Sequence, residues 1–136
     1  MQILLVEDDL QLGKALCRGL ELAGFRVCWL RLLADARKRL TEQHFDLMLL
    51  DLGLPDGDGF DSLVEWRNSG EQIPIIIMTA RNQRDHLVNS LDSGADDFIS
   101  KPVELPELIS RVKAVSRRIA GFPHSYGKWI ISPLTR

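Results

Sequence analysis

The feature that most constrains this chain is where its apolar runs stop. Runs of strand length alternate with stretches of helical period, and most of the runs end on a charged or hydroxyl residue. Ile3, Leu4, Leu5 and Val6 run into Glu7, Asp8 and Asp9; the run over 45–50 stops at Asp51; Ile75 to Met78 stop at Thr79; a short run over 97–100 stops at Lys101. A weaker run covers 25–30. Between them, helical spacing over 10–23 puts Leu12, Ala15, Leu16, Gly19, Leu20 and Ala23 on one face, closed by Gly24. Further helices are expected over 33–43, 60–68, 83–93 and 105–119, the third of these closed by Gly94, with turn chemistry over 54–59. In the helix over 60–68 the expected face is Phe60, Leu63, Val64 and Arg67. Strands apolar on both faces, joined by helical crossovers, imply a parallel sheet covered on both sides. Right-handed crossovers make it a doubly wound α/β sheet of (βα)5 type.

The length, 136 residues, suits one domain with a short remainder, and a net charge of −2 argues against nucleic-acid binding by the bulk of it. Cys17 and Cys28 have the spacing of neither a redox pair nor a zinc site, so two buried free thiols are expected. No basic segment precedes an apolar run at the N-terminus and no stretch is long enough to span a bilayer, so a cytoplasmic chain with no membrane partner is expected. His44, His86 and His124 are isolated and read as surface or linker residues. The segment after 121 reads as a linker, followed at Lys128, Trp129, Ile130 and Ile131 by the start of a strand with nothing to pair with.

In an open parallel sheet, ligands bind beyond the carboxyl ends of the strands. The polar residues at those ends therefore meet. Several carboxylates in one crevice repel each other unless a cation neutralises them, and oxygen-only ligands suit Mg2+. A hydroxyl from Thr79 and an ammonium from Lys101 would complete a phosphoryl-binding site. Each residue alone has a blander reading: Asp9 in particular suits the N-cap of the first helix. The agreement of four strand ends favours the site. Asp56, Gly57, Asp58 and Gly59 look superficially like a calcium loop, but the spacing fails beyond Asp58 and no closing glutamate follows. No glycine-rich nucleotide-binding motif is present.

The run from Ile3 to Asp9, Leu49 to Gly59 (LLDLGLPDGDG), Met78 to Arg81 (MTAR), Gly94 to Phe98 (GADDF) and Lys101 with Pro102 together resemble the receiver domain of two-component response regulators. The resemblance spans residues 1 to about 120, and Glu107, Leu108, Arg111, Val112, Arg117 and Arg118 are similar to the OmpR/PhoB subfamily. It implies a flavodoxin-like five-stranded sheet of order 2-1-3-4-5 and a phosphoacceptor at Asp51. Asp8, Asp51 and the carbonyl of Gly53 would hold Mg2+, with Glu7 reaching it through water. Thr79 and Lys101 would meet the phosphoryl group, and Phe98 takes the place of the aromatic that changes rotamer on activation. The Lys101–Pro102 bond would be cis.

The partner implied is a sensor histidine kinase. A homodimer would form on phosphorylation through the helix over 83–93, the last strand and the last helix, with Asp92, Asp96 and Asp97 facing Arg111 and Arg118. Glu107 would lack its usual ion pair, because the matching position holds Leu87. DNA would be reached only through a C-terminal winged-helix domain whose first strand begins within 121–136. Gly53 and Val103 depart from the subfamily pattern. An aspartate-nucleophile phosphatase would want a second carboxylate two residues after Asp51, where Gly53 stands. The reading is therefore a self-phosphorylating switch and not an enzyme acting on outside substrates.

Overall fold

A computed structural model describes residues 1–80 and 94–119. Five strands form one parallel sheet: β1 (Gln2–Val6), β2 (Arg26–Leu30), β3 (Leu47–Asp51), β6 (Ile75–Thr79) and β7 (Asp97–Ser100), in spatial order β2-β1-β3-β6-β7. This is the expected 2-1-3-4-5 order once a small hairpin is counted. That hairpin, β4 (Gly53–Leu54) with β5 (Gly57–Asp58), replaces the plain turn expected over 54–59. Four helices are described: α1 (Leu10–Leu22), α2 (Leu33–Glu42), α3 (Gly59–Asn68) and α4 (Leu105–Ile119). The helix expected over 83–93 and the linker and strand expected after 121 lie outside the described residues.

Alternation along the strands divides the core into two layers. Leu4, Val6, Met48, Leu50, Ile75 and Ile77 face α2 and α3, where Leu33, Ala36, Leu63 and Trp66 meet them. Ile3, Leu5, Leu47, Leu49, Ile76 and Met78 face α1 and α4, against Leu16, Leu20, Leu108 and Val112. All five residues of β3 are buried, which is why that strand reads as continuously apolar. Each such side chain contributes roughly 1.5–3 kcal/mol by burial.

The helix ends explain their own boundaries. Asp9 caps α1, its Oδ1 accepting from Gln11 N at 2.9 Å and Leu12 N at 3.0 Å, and Gly24 follows the helix with φ +99°. The N-terminus of α2 has no capping side chain of its own at Leu32. Asp56 supplies the cap from the hairpin, accepting from Leu33 N at 2.9 Å and Ala34 N at 3.1 Å.

Three expectations about faces need correction. On α1 the buried set is Gly13, Leu16, Gly19 and Leu20, while Ala15 is exposed. Gly13 is inside because a Cβ there would lie 2.0 Å from Cζ2 of Trp29, whose indole packs across the helix. On α3 the buried residues are Gly59, Ser62, Leu63 and Trp66, with Phe60, Val64 and Arg67 only half-buried. Cys17 and Cys28 are free but half-buried, not sealed in the core. Cys28 sits on the edge strand, where Arg39 Nη1 reaches its Sγ at 2.9 Å.

Candidate functional site

Parallel register brings the strand ends level. Val6 pairs with Leu50, Asp51 with Met78, and Thr79 with Ser100. Glu7, Asp51, Thr79 and Lys101 therefore stand along one rim. Glu7, Asp51 and Lys101 open on a cavity of about 440 Å³ that Asp8, Asp9, Gly53 and Ala80 also line, while Thr79 is buried and does not line it. A larger groove of about 670 Å³ opens at the other end of the sheet, between residues 40–46 and 71–74. It holds the exposed pair His44 and Asp46, whose Nε2 and Oδ1 are 3.3 Å apart, but the carboxylate cluster is not there. We place the chemistry at the smaller cavity, where charge converges.

Glu7, Asp8 and Asp51 each offer a carboxylate oxygen within 4.8 Å of the others, the one such grouping among the described residues. Glu7 is fully buried and Asp51 is 4% exposed. Lys101 Nζ lies 3.1 Å from Glu7 Oε1 and 3.2 Å from Asp51 Oδ2. Glu7 Oε1 nevertheless lacks a well-directed hydrogen bond, the ammonium standing beside it at ion-pair distance only. Burial pushes the Glu7 carboxyl up from 4.5 to about 7; the Asp9 N–H that reaches Oε2 at 3.1 Å opposes this, and Asp51 adds to it. Burial on its own would lower Lys101, but Asp51 and Glu7 outweigh it and hold the ammonium above its usual range.

These residues fit a divalent cation. The donors are all oxygen, one buried oxygen has an ion-pair neighbour but no well-directed donor, and mutual repulsion is visible in Glu7. Gly53 is exposed at the mouth, and its N–H donates to Asp51 Oδ1 at 3.2 Å. Behind the site, a Cβ at Gly59 would lie 2.7 Å from the carbonyl of Asp51, so the start of α3 passes tightly under Asp51. Thr79 is fully buried at the end of β6, its hydroxyl 3.4 Å from the Ala80 carbonyl. Phe98 is half-buried on β7 opposite Ile77, on the α2 and α3 side. Thr79 is two residues beyond Ile77 and so belongs to that same face. The Lys101–Pro102 bond is cis.

A single family model, the response regulator receiver domain, matches residues 3–113. The chain belongs to that family. It is 70% identical over 122 residues to the swarming motility regulation protein RssB of Serratia marcescens, covering 90% of this chain and 56% of that protein. It is 45% identical to the response regulator protein PmrA of Pseudomonas aeruginosa, covering 89% and 55% respectively. The receiver thus spans little more than half the length of these relatives. Among solved structures, the receiver domain of the response regulator TorR superposes with a TM-score of 0.81 at 35% identity, covering 87% of this chain and 98% of that one. No helix among the described residues is long and apolar enough to cross a membrane.

The charges expected at a dimer face are arranged differently in the single receiver. Asp92 and Leu87 lie outside the described residues. Asp97 pairs within the chain with Arg111, at 2.9 and 3.1 Å. Glu107, whose usual partner position is Leu87, pairs within the chain with the same Arg111 at 3.0 Å, one turn along α4. Asp96 turns its carboxylate inward, accepting from Ile75 N at 2.8 Å and lying 3.4 Å from Arg67 Nη2. Among the described residues, Arg118 reaches the Asp96 carbonyl, at 3.5 Å.

The sequence reading passed over four residues of consequence. Asp56 caps α2 from the hairpin. Arg67 donates to the carbonyls of Gly94, Glu71 and Ile73 at 3.0, 2.7 and 2.7 Å. Trp29 Nε1 donates to the Glu7 carbonyl at 2.8 Å, and Arg31 reaches the Asp8 carbonyl. Nothing in the sequence marks these contacts.

Proposed function

We propose that Asp51 accepts a phosphoryl group from a phosphohistidine of a sensor kinase, and that the modified chain switches the state of a larger transcriptional regulator. The observation that carries this is the Lys101 ammonium between the buried carboxylates of Glu7 and Asp51, beside an exposed rim of acidic groups. An Asp51 oxygen attacks phosphorus; the P–O bond forms as the P–N bond to the donor imidazole breaks, and the imidazole leaves with a proton. Mg2+, held by Asp8, Asp51 and the Gly53 carbonyl with Glu7 through water, would shield the anionic reactants and stabilise charge on the transferring group. Lys101 takes up part of the added charge. Thr79 turns to hydrogen-bond the phosphoryl oxygen, and Phe98, on the same face, fills the space that its movement leaves.

The chain is on this reading a switch that modifies itself and not an enzyme with outside substrates. Gly53 has no side chain to orient a hydrolytic water. Receivers then pair two-fold through Asp92, Asp96, Asp97, Glu107, Arg111 and Arg118 around Leu87, in the cytoplasm. DNA is contacted only by a further C-terminal domain; the names of the relatives, which include the transcriptional regulatory protein QseB, support this. Incubation with a small acyl phosphate and Mg2+, followed by intact-mass measurement, tests the core of the reading. A single phosphoryl adduct is expected, absent with chelator and absent in Asp51→Asn. Equal labelling of that variant would reject the assignment.

A further inference from the structure

The main chain beneath the acidic pair is held in an unusual way. Sheet bonding along β1 ends with Glu7 N donating to Leu30 O at 3.0 Å, and the Asp9 carbonyl is taken by Gly13 N at 2.8 Å as α1 begins. Between these points the carbonyls of Glu7 and Asp8 need partners. Each receives one from the side chain of a residue on or just beyond the edge strand β2. Trp29 Nε1 donates to Glu7 O at 2.8 Å. Arg31 donates to Asp8 O from both Nε and Nη2, at 3.2 and 3.1 Å. The indole is itself seated by α1, since the absence of a side chain at Gly13 is what admits it.

We propose that Trp29 and Arg31 are positioning residues for the cation site: they fix the peptide planes of Glu7 and Asp8 and so aim both carboxylates into the cavity. The inference rests on the metal-binding reading given above. Partners that orient metal ligands commonly govern affinity as much as packing does. Charge and positioning make opposite demands of Arg31. If the guanidinium acted only as a nearby cation, removing it would tighten binding of Mg2+. If it holds the Asp8 carbonyl, removing it loosens binding. Trp29→Phe removes the N–H without changing charge but also trims the ring system packed over Gly13, so its affinity is read beside its melting temperature in chelator.

Calorimetric titration with Mg2+ of the wild-type chain, Asp8→Asn, Arg31→Ala and Trp29→Phe decides the matter, with thermal melting in chelator as the measure of folding. Affinity roughly tenfold weaker in both Arg31→Ala and Trp29→Phe is expected, with the melting temperature of Arg31→Ala unchanged because that side chain is exposed. If the wild type binds, Asp8→Asn does not, and Arg31→Ala binds as well as or better than the wild type, positioning is overturned while the metal reading stands. If the wild type fails to bind, both fall. Weaker binding that merely follows a matching loss of folded protein in chelator would also overturn it.

Discussion

Glu7→Gln should stabilise the metal-free protein at alkaline pH, although it removes a charge that pairs with Lys101. The Glu7 carboxylate is sealed from solvent, crowded by Asp8 and Asp51, and has one oxygen without a directed donor. A rise from 4.5 to about 7 corresponds to roughly 3 kcal/mol in favour of the protonated form. The group lies just under an open cavity with an ammonium beside it, so a net penalty of about 1–2 kcal/mol at pH 8 is more realistic. The folded-state value is raised, so this group's contribution is fully present below 4.5 and is lost as pH climbs through about 7. Thermal unfolding in chelator should place the Gln variant several degrees above the wild type at pH 8. At pH 5 the two should nearly coincide, because Glu7 is then protonated and close to isosteric with Gln. Saturating Mg2+ at pH 8 should favour the wild type, which binds the cation more tightly. A Gln variant less stable than the wild type at pH 8 in chelator would mean that Lys101 fully compensates the buried charge, and the electrostatic account of the site would fail.

Gly53 in the hairpin and Gly59 at the start of α3 should respond oppositely to alanine. Gly53→Ala meets nothing within 4 Å and should leave stability unchanged or raise it by about 0.5 kcal/mol, whereas Gly59→Ala presses on the Asp51 carbonyl and should cost about 1–3 kcal/mol; equal denaturation midpoints would refute the contrast. Asp56→Ala should uncap α2 and cost at most about 1 kcal/mol at this exposed position. The Leu33 and Ala34 N–H groups hold the Asp56 carboxyl below its usual range, so urea titrations should show the difference at pH 7 and its loss as acid protonates the group. The resting receiver should sediment as a monomer and dimerise when a phosphoryl mimic occupies the site. Asp97→Ala and Arg118→Ala should weaken the dimer a few-fold, since exposed pairs are worth roughly 0–1 kcal/mol each; a monomer with the site demonstrably occupied would refute the pairing.

The fold was legible because burial on both faces leaves a plain mark. β1, β6, β7 and α4 fall within a residue of the runs that announce them. What hydrophobicity could not reveal is selection for shape: Gly13 is buried to make room for Trp29, so the α1 face is rotated away from Ala15. The hairpin β4–β5 is too short to carry an alternation of its own. The site was legible for a topological reason, since parallel strands must deliver their last residues to one rim. The supporting residues were not. Trp29, Arg31, Asp56 and Arg67 act on backbone groups distant in sequence, and a backbone carbonyl leaves no trace in residue type. The intrachain partners of the charges near β7 were hidden in the same way: Asp96 takes the Ile75 N–H and Asp97 pairs with Arg111 within the single receiver.

Those partners bear on how a change at the rim can travel. The approach to β7 is fastened twice. Arg67 holds the Gly94 carbonyl from α3 and lies against the Asp96 carboxylate, which itself takes the Ile75 N–H. Arg111 holds Asp97 from α4. Beyond Asp97 the strand is held by its ladder to β6 and by buried Ile99, with Phe98 half-buried and Lys101 N donating to the Thr79 carbonyl at 2.7 Å. A new anion on Asp51 would draw Lys101 and Thr79 toward it, and the strand cannot yield at residues 94–97 without breaking buried or bidentate hydrogen bonds. On the function proposed above, the displacement would fall on the stretch from Phe98 to Lys101. Phe98 is the one large apolar side chain in that stretch that is not fully packed, and on that proposed function it is the group through which a local charge would become a change of shape.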